Sequence, residues 1–299
     1  MKLGFLTACF RTTPLDDIVR WAGSAGFSTV ELASWPTRPG APTNHLDVAG
    51  MNAGKAAALK ALCADAGVEI SCLTYCANTL AADRGQREAV HSHLRKVIDA
   101  ANLLGVGVVS TFVGRNEKAT VADSVTEGVD VFRGLLAYAA EKGVKLAIEN
   151  WPGVGMAGEG IIGNLFASPA IWEQMFEALP VDNFGLNFDP SHLYWQGVDY
   201  LKATRDFSER IFHVHAKDTE VFTDRVAKAG TILPGNHWFR YRIPGFGKIE
   251  WPQFISVLAE SGYDYTLSFE HEDPVWSGSE DKVREGLIIG RQYLGTFIA

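Results

Sequence analysis

Phe184-Gly185-Leu186-Asn187-Phe188-Asp189 decides how the chain is read, because an otherwise apolar strand-like run closes on an acid. Three more runs set an acid or a histidine at or near their end: Lys145-Leu146-Ala147-Ile148-Glu149-Asn150, Ile211-Phe212-His213-Val214-His215 and Tyr265-Thr266-Leu267-Ser268-Phe269-Glu270. An ionised carboxylate at the end of an apolar strand is costly unless it is paired or bound. Glu149, Asp189, His215 and Glu270 together form a donor set that suits a hard-to-intermediate divalent cation.

Working outward, short apolar runs alternate with amphipathic helical patterns along the whole chain. Strands are expected over 3–8, 28–33, 69–74, 107–113, 144–149, 184–189, 211–216 and 265–270. Val90, Leu94, Val97, Ile98, Ala101 and Leu104 repeat at the spacing of one buried helix face. Gly26, Gly67, Gly105, Gly143 and Gly262 stand where helices should stop. Eight strand–helix units at about 37 residues each predict a (β/α)8 barrel, a TIM barrel, with some enlarged loops. An open doubly wound sheet is the competitor, but no G-x-G-x-x-G follows the first strand and no P-loop occurs. No composition break marks a linker, so a single domain over 1–299 is expected. Long loops are expected over 34–51 and 218–248, on the face where strand C-termini point, and such loops usually shape a substrate pocket.

Composition narrows the partners. The 299 residues are 47% hydrophobic and carry a formal charge of -8 with a pI near 5.5, which disfavours nucleic acid. Cys9, Cys63, Cys72 and Cys76 form no CxxC pair and no zinc spacing, as expected of free thiols in a reduced compartment. The opening Met1–Leu6 is too short for a secretory core, and no apolar run approaches the roughly 20 residues of a membrane span. A cytoplasmic protein with no membrane partner follows.

Barrel enzymes place their chemistry at strand C-termini. Glu149, Asp189, His215 and Glu270 would end strands five to eight and converge, and a cation would offset the repulsion of three carboxylates. One divalent ion per chain is expected, Mn²⁺ first, with Mg²⁺, Co²⁺ or Zn²⁺ as alternatives. His192, one tight turn after Asp189, is a candidate for holding a substrate hydroxyl or carbonyl. His213 faces the same side of its strand as His215 and reads as a packed histidine one layer deeper. Lys217 is either an anchor for a substrate oxygen or a solvated lysine. His91 and His93 read as structural or exposed. Trp35, Trp151, Trp195, Trp238 and Trp276 fall in C-terminal loops, for stacking on sugar rings or for loop packing.

At these motifs the sequence resembles the xylose-isomerase-like barrel superfamily of sugar isomerases and epimerases, inosose dehydratases and type IV apurinic endonucleases. The resemblance runs over essentially the whole chain. It is strongest at Ile148-Glu149-Asn150, Asn187–His192, His213–Asp218, Pro244-Gly245-Phe246-Gly247-Lys248-Ile249 and Ser268-Phe269-Glu270. It implies metal ligation by Glu149, Asp189, His215 and Glu270, a substrate-orienting His192, and an arginine offered to substrate at Arg242. The endonuclease branch carries extra histidines where this chain has Cys72–Tyr75 and Ser110–Val113, so a single-metal carbohydrate enzyme fits better.

The expectation is therefore a metal-dependent isomerase or epimerase acting on a ketose through an enediolate, with Glu149 and Glu270 exchanging protons with carbon from opposite faces. A lyase or dehydratase acting on a keto-sugar, keto-inositol or 3-keto-glycoside is the alternative. A non-catalytic sugar-binding barrel is a third reading, which the intact ligand set opposes. Trp238 and Lys217 join His192 and Arg242 as substrate-binding candidates. Barrels of this kind often dimerise, so a homodimer is the oligomer to look for.

Overall fold

In the computed structural model, which describes residues 1–37, 44–153, 162–233, 235 and 237–298, the apolar runs form parallel strands closed into a barrel. The staves are β1 (Lys2–Leu6), β2 (Thr29–Ala33), β3 (Glu69–Thr74), β4 (Val108–Thr111), β5 (Lys145–Glu149), β6 (Phe184–Phe188) and β7 (Ile211–Ala216). After an inserted hairpin of β8 (Asp218–Val221) and β9 (Phe239–Arg242), β10 (Thr266–Phe269) supplies the eighth stave. It pairs with β7 on one side and with β1 on the other, at Leu3↔Leu267, closing the ring. The (β/α)8 expectation is met.

Helices follow the staves, and all but Thr223–Ala229 bury part of their length. They are α1 (Leu15–Ser24), α2 (Ala53–Ala66), α3 (Arg84–Leu104), α4 (Val121–Glu141), α5 (Pro169–Ala178), α6 (Pro190–Trp195), α7 (Tyr200–Asp206), α8 (Thr223–Ala229), α9 (Trp251–Glu260) and α10 (Glu280–Leu294). On α3 the stripe read from sequence, Val90 to Leu104, is buried, with Leu94, Val97 and Ile98 inaccessible to solvent. Asp83 caps this helix by accepting from the Gln86 amide, and Gly105 ends it at φ 73°, a conformation that favours glycine. None of the described helices is long and apolar enough to cross a membrane.

Two of the eight expected strands, 69–74 and 211–216, match β3 and β7. The others end or begin one or two residues away. The run 3–8 stops at Leu6 because Thr7–Cys9 turns into a 3-10 helix, and 184–189 stops at Phe188 because Asp189 becomes the N-cap of α6. The segment 34–51 is described only outside 38–43. The segment 218–248, expected as a loop, holds α8 and the antiparallel β8–β9 hairpin; Pro234 and Asn236 lie outside the described residues.

A buried acid explains that hairpin. Asp218 accepts from the backbone amides of Thr219, Gly245, Gly247, Lys248 and Ile249 and from the Trp251 indole, all between 2.8 and 3.1 Å. The Pro244–Lys248 turn is thus wrapped around one carboxylate. A Cβ on Gly247 would stand 2.2 Å from Asp218 Oδ1, so only glycine fits that approach. The hairpin in turn carries Tyr241 over the mouth of the barrel.

Candidate active site and metal centre

The barrel interior beneath that mouth is polar. His213 Nε2 lies 3.1 Å from Ser71 Oγ, and its Nδ1 lies 3.1 Å from Asn187 Oδ1; the Asn187 amide also donates to Ser110 Oγ at 2.9 Å. His213 is therefore the packed, fully buried histidine expected one layer down. Burial and the neighbouring His215 charge hold its pKa low, near 4, although Glu31 opposes them.

Above this layer the four strand-end residues come together. Glu149 ends β5, Asp189 follows β6, His215 lies in β7 and Glu270 follows β10. One ligand atom from each lies within 4.8 Å of all the others. Asn150 fixes Asp189 by a reciprocal pair: its amide donates to the Asp189 carbonyl at 2.9 Å, and its oxygen accepts from the Asp189 N–H at 2.7 Å. Asp189 Oδ1 is used by the Ser191 amide at 2.8 Å, which leaves Oδ2 facing the site.

Three buried atoms at this point make no hydrogen bond: Asp189 Oδ2, His192 Nε2 and His215 Nδ1. His192 Nε2 stands 3.4 Å from both Glu149 Oε1 and Asp189 Oδ2, and His215 Nδ1 stands 3.0 Å from Glu270 Oε2 without the alignment of a hydrogen bond. Buried polar atoms are normally satisfied, so converging orphans of this kind mark a place built for another ligand. The chemistry agrees: oxygen donors from three carboxylates and one imidazole nitrogen suit a divalent ion.

The electrostatics point the same way. Burial and the charge of Glu270 push Glu149 up to about 7, against the pull of His215. Asp189 is also raised, chiefly by burial. Glu270 goes the other way: burial would raise it, but the charges of Lys217 and His215 hold it well below the usual carboxylate range. Lys217 is fully enclosed, with Nζ 2.5 Å from Glu270, 3.0 Å from Glu272 and 3.3 Å from Asp189. Burial disfavours its charge, but these carboxylates more than restore it and keep it protonated. The solvated-lysine alternative is thereby corrected: Lys217 is a buried cation of the site.

His192 is neutral, because burial and then the Lys217 charge press its pKa well below the ordinary value. Its Nδ1 lies 3.1 Å from the Tyr241 hydroxyl, with the tyrosine ring perpendicular to the imidazole. Lys217 Nζ sits 4.4 Å from the same tyrosine ring. A cavity of about 380 Å³ opens above these groups, lined by Trp35, Phe112, Glu149, Trp151, Lys217 and Glu270 among others.

Two expected substrate residues have other partners. Arg242 pairs with Glu220 and Asp273, each at 2.9 Å, and Trp238 packs on Trp195 and Phe239 while its indole donates to the Thr231 carbonyl. Neither lines the 380 Å³ cavity. Of the five loop tryptophans, Trp35 and Trp151 do line it; Trp195 and Trp238 pack with each other, and Trp276 packs near Phe246. His91 and His93 bond to the carbonyls of Thr79 and Ser34, as structural groups.

On sequence alone Glu31 has no site role and Cys76 is only a free thiol. Glu31 lies inside β2, fully buried, and meets His215 Nε2 with both oxygens at 3.1 Å. Cys76 donates to Glu149 Oε2 at 3.3 Å. A charged residue in the apolar run Thr29-Val30-Glu31-Leu32 was the available signal for the first.

Comparison with known proteins fits this geometry. The family described as "Xylose isomerase-like TIM barrel" matches residues 19–293, and the chain belongs to it. The uncharacterized protein YfiH of Bacillus subtilis (strain 168) is 28% identical over 91% of this chain and 93% of its own. An inosose dehydratase of Clostridium botulinum (strain Alaska E43 / Type E3) is 28% identical over 52% of this chain, spanning 49% of that enzyme. The crystal structure of IOLI protein with a bound zinc atom superimposes over the full length of both chains with a TM-score of 0.73 at 18% identity, which speaks for the fold.

Proposed function

We propose that this xylose isomerase-like barrel is a divalent-metal-dependent sugar isomerase or epimerase acting on a ketose or keto-sugar, with 1–299 as its one catalytic domain in a reducing cytoplasm. The observation that carries the reading is the convergence of Glu149, Asp189, His215 and Glu270 around three orphaned buried polar atoms. Glu149, Asp189, His215 and Glu270 would hold the ion, Mn²⁺ by preference. When bound, it supplies Lewis acidity that lowers the pKa of the carbon acid between a carbonyl and a hydroxyl.

The chain's own groups do the rest. Glu149, whose carboxyl is raised by burial and the Glu270 charge while no ion is bound, would take a proton from carbon and return it. Glu270, which follows β10 three staves from β5, would serve the other face, its ionised form kept by Lys217 and His215. His192, neutral and held at Nδ1 by Tyr241, offers Nε2 to a substrate hydroxyl. Lys217 would steady the developing enediolate charge, since a fixed cation in a dry site acts with little screening. Trp35 and Trp151 would cover the sugar's apolar faces.

The similarity to an inosose dehydratase supports a second reading, in which the same proton abstraction is followed by loss of a leaving group. The two are separated by incubating Mn²⁺-loaded protein with keto-sugars in deuterated water. Isomerisation gives deuterium in a product otherwise unchanged in composition. Elimination gives an unsaturated ketone absorbing in the near ultraviolet. Deuterium exchange with no substrate of either kind would remove both readings.

A further inference from the structure

We infer that the substrate carries a neutral, hydroxyl-rich substituent, such as a glycosyl group, in a trench beside the inner cavity; this rests on the sugar-converting reading above. The trench measures about 940 Å³ and runs from the C-terminal end of β1 to the start of α10. Leu6, Trp35, Glu270 and Glu272 line both spaces, so whatever sits against Glu149 and Glu270 opens directly into it. The inner cavity, at about 380 Å³, lies near the small end of ligand pockets, roughly 300–1,000 Å³, and fits one sugar unit. The trench holds at least as much again.

Its wall favours hydroxyl groups. Arg11, Thr12, Glu272, Ser277 and Ser279 supply donors and acceptors, and Trp35 an aromatic surface. Among the described residues the Arg11 guanidinium makes no ion pair and the Ser277 hydroxyl makes no hydrogen bond. Glu270, Glu272 and Glu280 line the trench with the guanidinium of Arg11, and the Lys217 ammonium pairs with the first two. Glu280 is spent on the chain itself, accepting from the amides of Arg11, Thr12 and Thr13. A second sugar meets a mixed polar surface with one aromatic wall.

Three ketoses that differ only at O6 of fructose test this: D-fructose, D-fructose 6-phosphate and isomaltulose, which carries a glucosyl group there. Deuterium exchange at the carbon next to the carbonyl and equilibrium binding are measured on Mn²⁺-loaded protein. Isomaltulose is expected to exceed fructose at least ten-fold in kcat/KM and in affinity. Ser277→Trp, a change on an exposed segment of the trench wall, is expected to bring that ratio close to one with the melting temperature retained. Equal values for isomaltulose and fructose, or a preference for the phosphate, overturn the trench assignment while exchange upholds the reaction. No exchange with any of the three, but ten-fold tighter binding of isomaltulose, removes the reaction and keeps the trench. Neither exchange nor preferential binding overturns both.

Discussion

Both carboxylate oxygens of Glu31 stand 3.1 Å from Nε2 of His215, on the side of the imidazole away from the candidate metal site. Ser268 Oγ donates to the same carboxylate at 2.6 Å, and Thr74 also donates to it. With an Nε2–H directed to Glu31, a bound ion would find the Nδ1 lone pair on the side facing Glu149 and Glu270. A carboxylate behind a ligating histidine fixes the ring's tautomer and orientation and strengthens it as a donor.

Glu31→Gln should therefore weaken Mn²⁺ binding by roughly 10–100-fold, the usual cost of losing such a partner. Calorimetric titration of the metal-free protein measures it. An unchanged affinity would show that the strand alone orients His215.

The same acid predicts behaviour at low pH. Burial would raise the Glu31 carboxyl, but the His215 charge and hydrogen bonds hold it at about 2, from an ordinary 4.5. Its contribution, about 3 kcal/mol, is complete above about pH 4.5 and is lost as pH falls toward 2. Melting temperatures of metal-free protein should fall over that window. In Glu31→Gln the fall should be shallower, from a lower starting stability.

Glu149 works in the opposite sense. Its pKa is raised to about 7, so the folded state binds this proton more tightly than the unfolded chain does. That contribution is present below about 4.5 and disappears as pH rises through 7. A divalent ion must displace the proton. Affinity for Mn²⁺ should then rise by up to about ten-fold per pH unit below 7 and level off above it. Titration in buffers of differing ionisation enthalpy should show proton release at pH 6 and little at pH 8. A flat affinity from pH 5.5 to 8 would remove Glu149 from the ligand set.

Lys217→Met should move two measurements in opposite directions. The ammonium neutralises Glu270 and Asp189, and leaving buried charges without their partner costs about 3–5 kcal/mol. The metal-free variant should melt well below the parent. Its Mn²⁺ affinity should rise, because a cation no longer competes for the same carboxylates. Lower stability with lower affinity would place Lys217 as scaffolding for the ligands.

The barrel and the convergence of Glu149, Asp189, His215 and Glu270 were legible because both follow from local pattern. Apolar strands with polar ends report themselves, and four such ends at equivalent staves converge once the sheet closes. Glu31 was not legible, since one acid inside Thr29–Ala33 looks like an interruption until β7 brings His215 beside it. Arg242 and Trp238 have partners that the sequence did not show. Both residue types suit a sugar, yet the fold of 218–248 hands Arg242 to Glu220 and Asp273 and Trp238 to Trp195. That hairpin depends on Asp218 gathering five backbone amides, a many-body contact that spacing does not reveal.

His192 and Tyr241 test the division between holding an ion and holding a substrate. His192 Nε2 points into the site without a hydrogen bond, while Nδ1 is engaged by the Tyr241 hydroxyl. Its neutral state, enforced by burial and Lys217, makes it a hydrogen-bonding group and not a charge partner for the carboxylates. His192→Ala should thus keep Mn²⁺ stoichiometry and affinity within about three-fold, yet lower kcat by the 10²-fold or more typical of a positioned proton-handling group. Tyr241→Phe removes only the hydroxyl that orients the ring and should give a smaller loss, with the metal again retained. Metal analysis after gel filtration, alongside turnover, checks both variants. If His192→Ala loses its ion while Asp189→Asn keeps it, the histidine belongs among the ligands and the carboxylate among the substrate contacts.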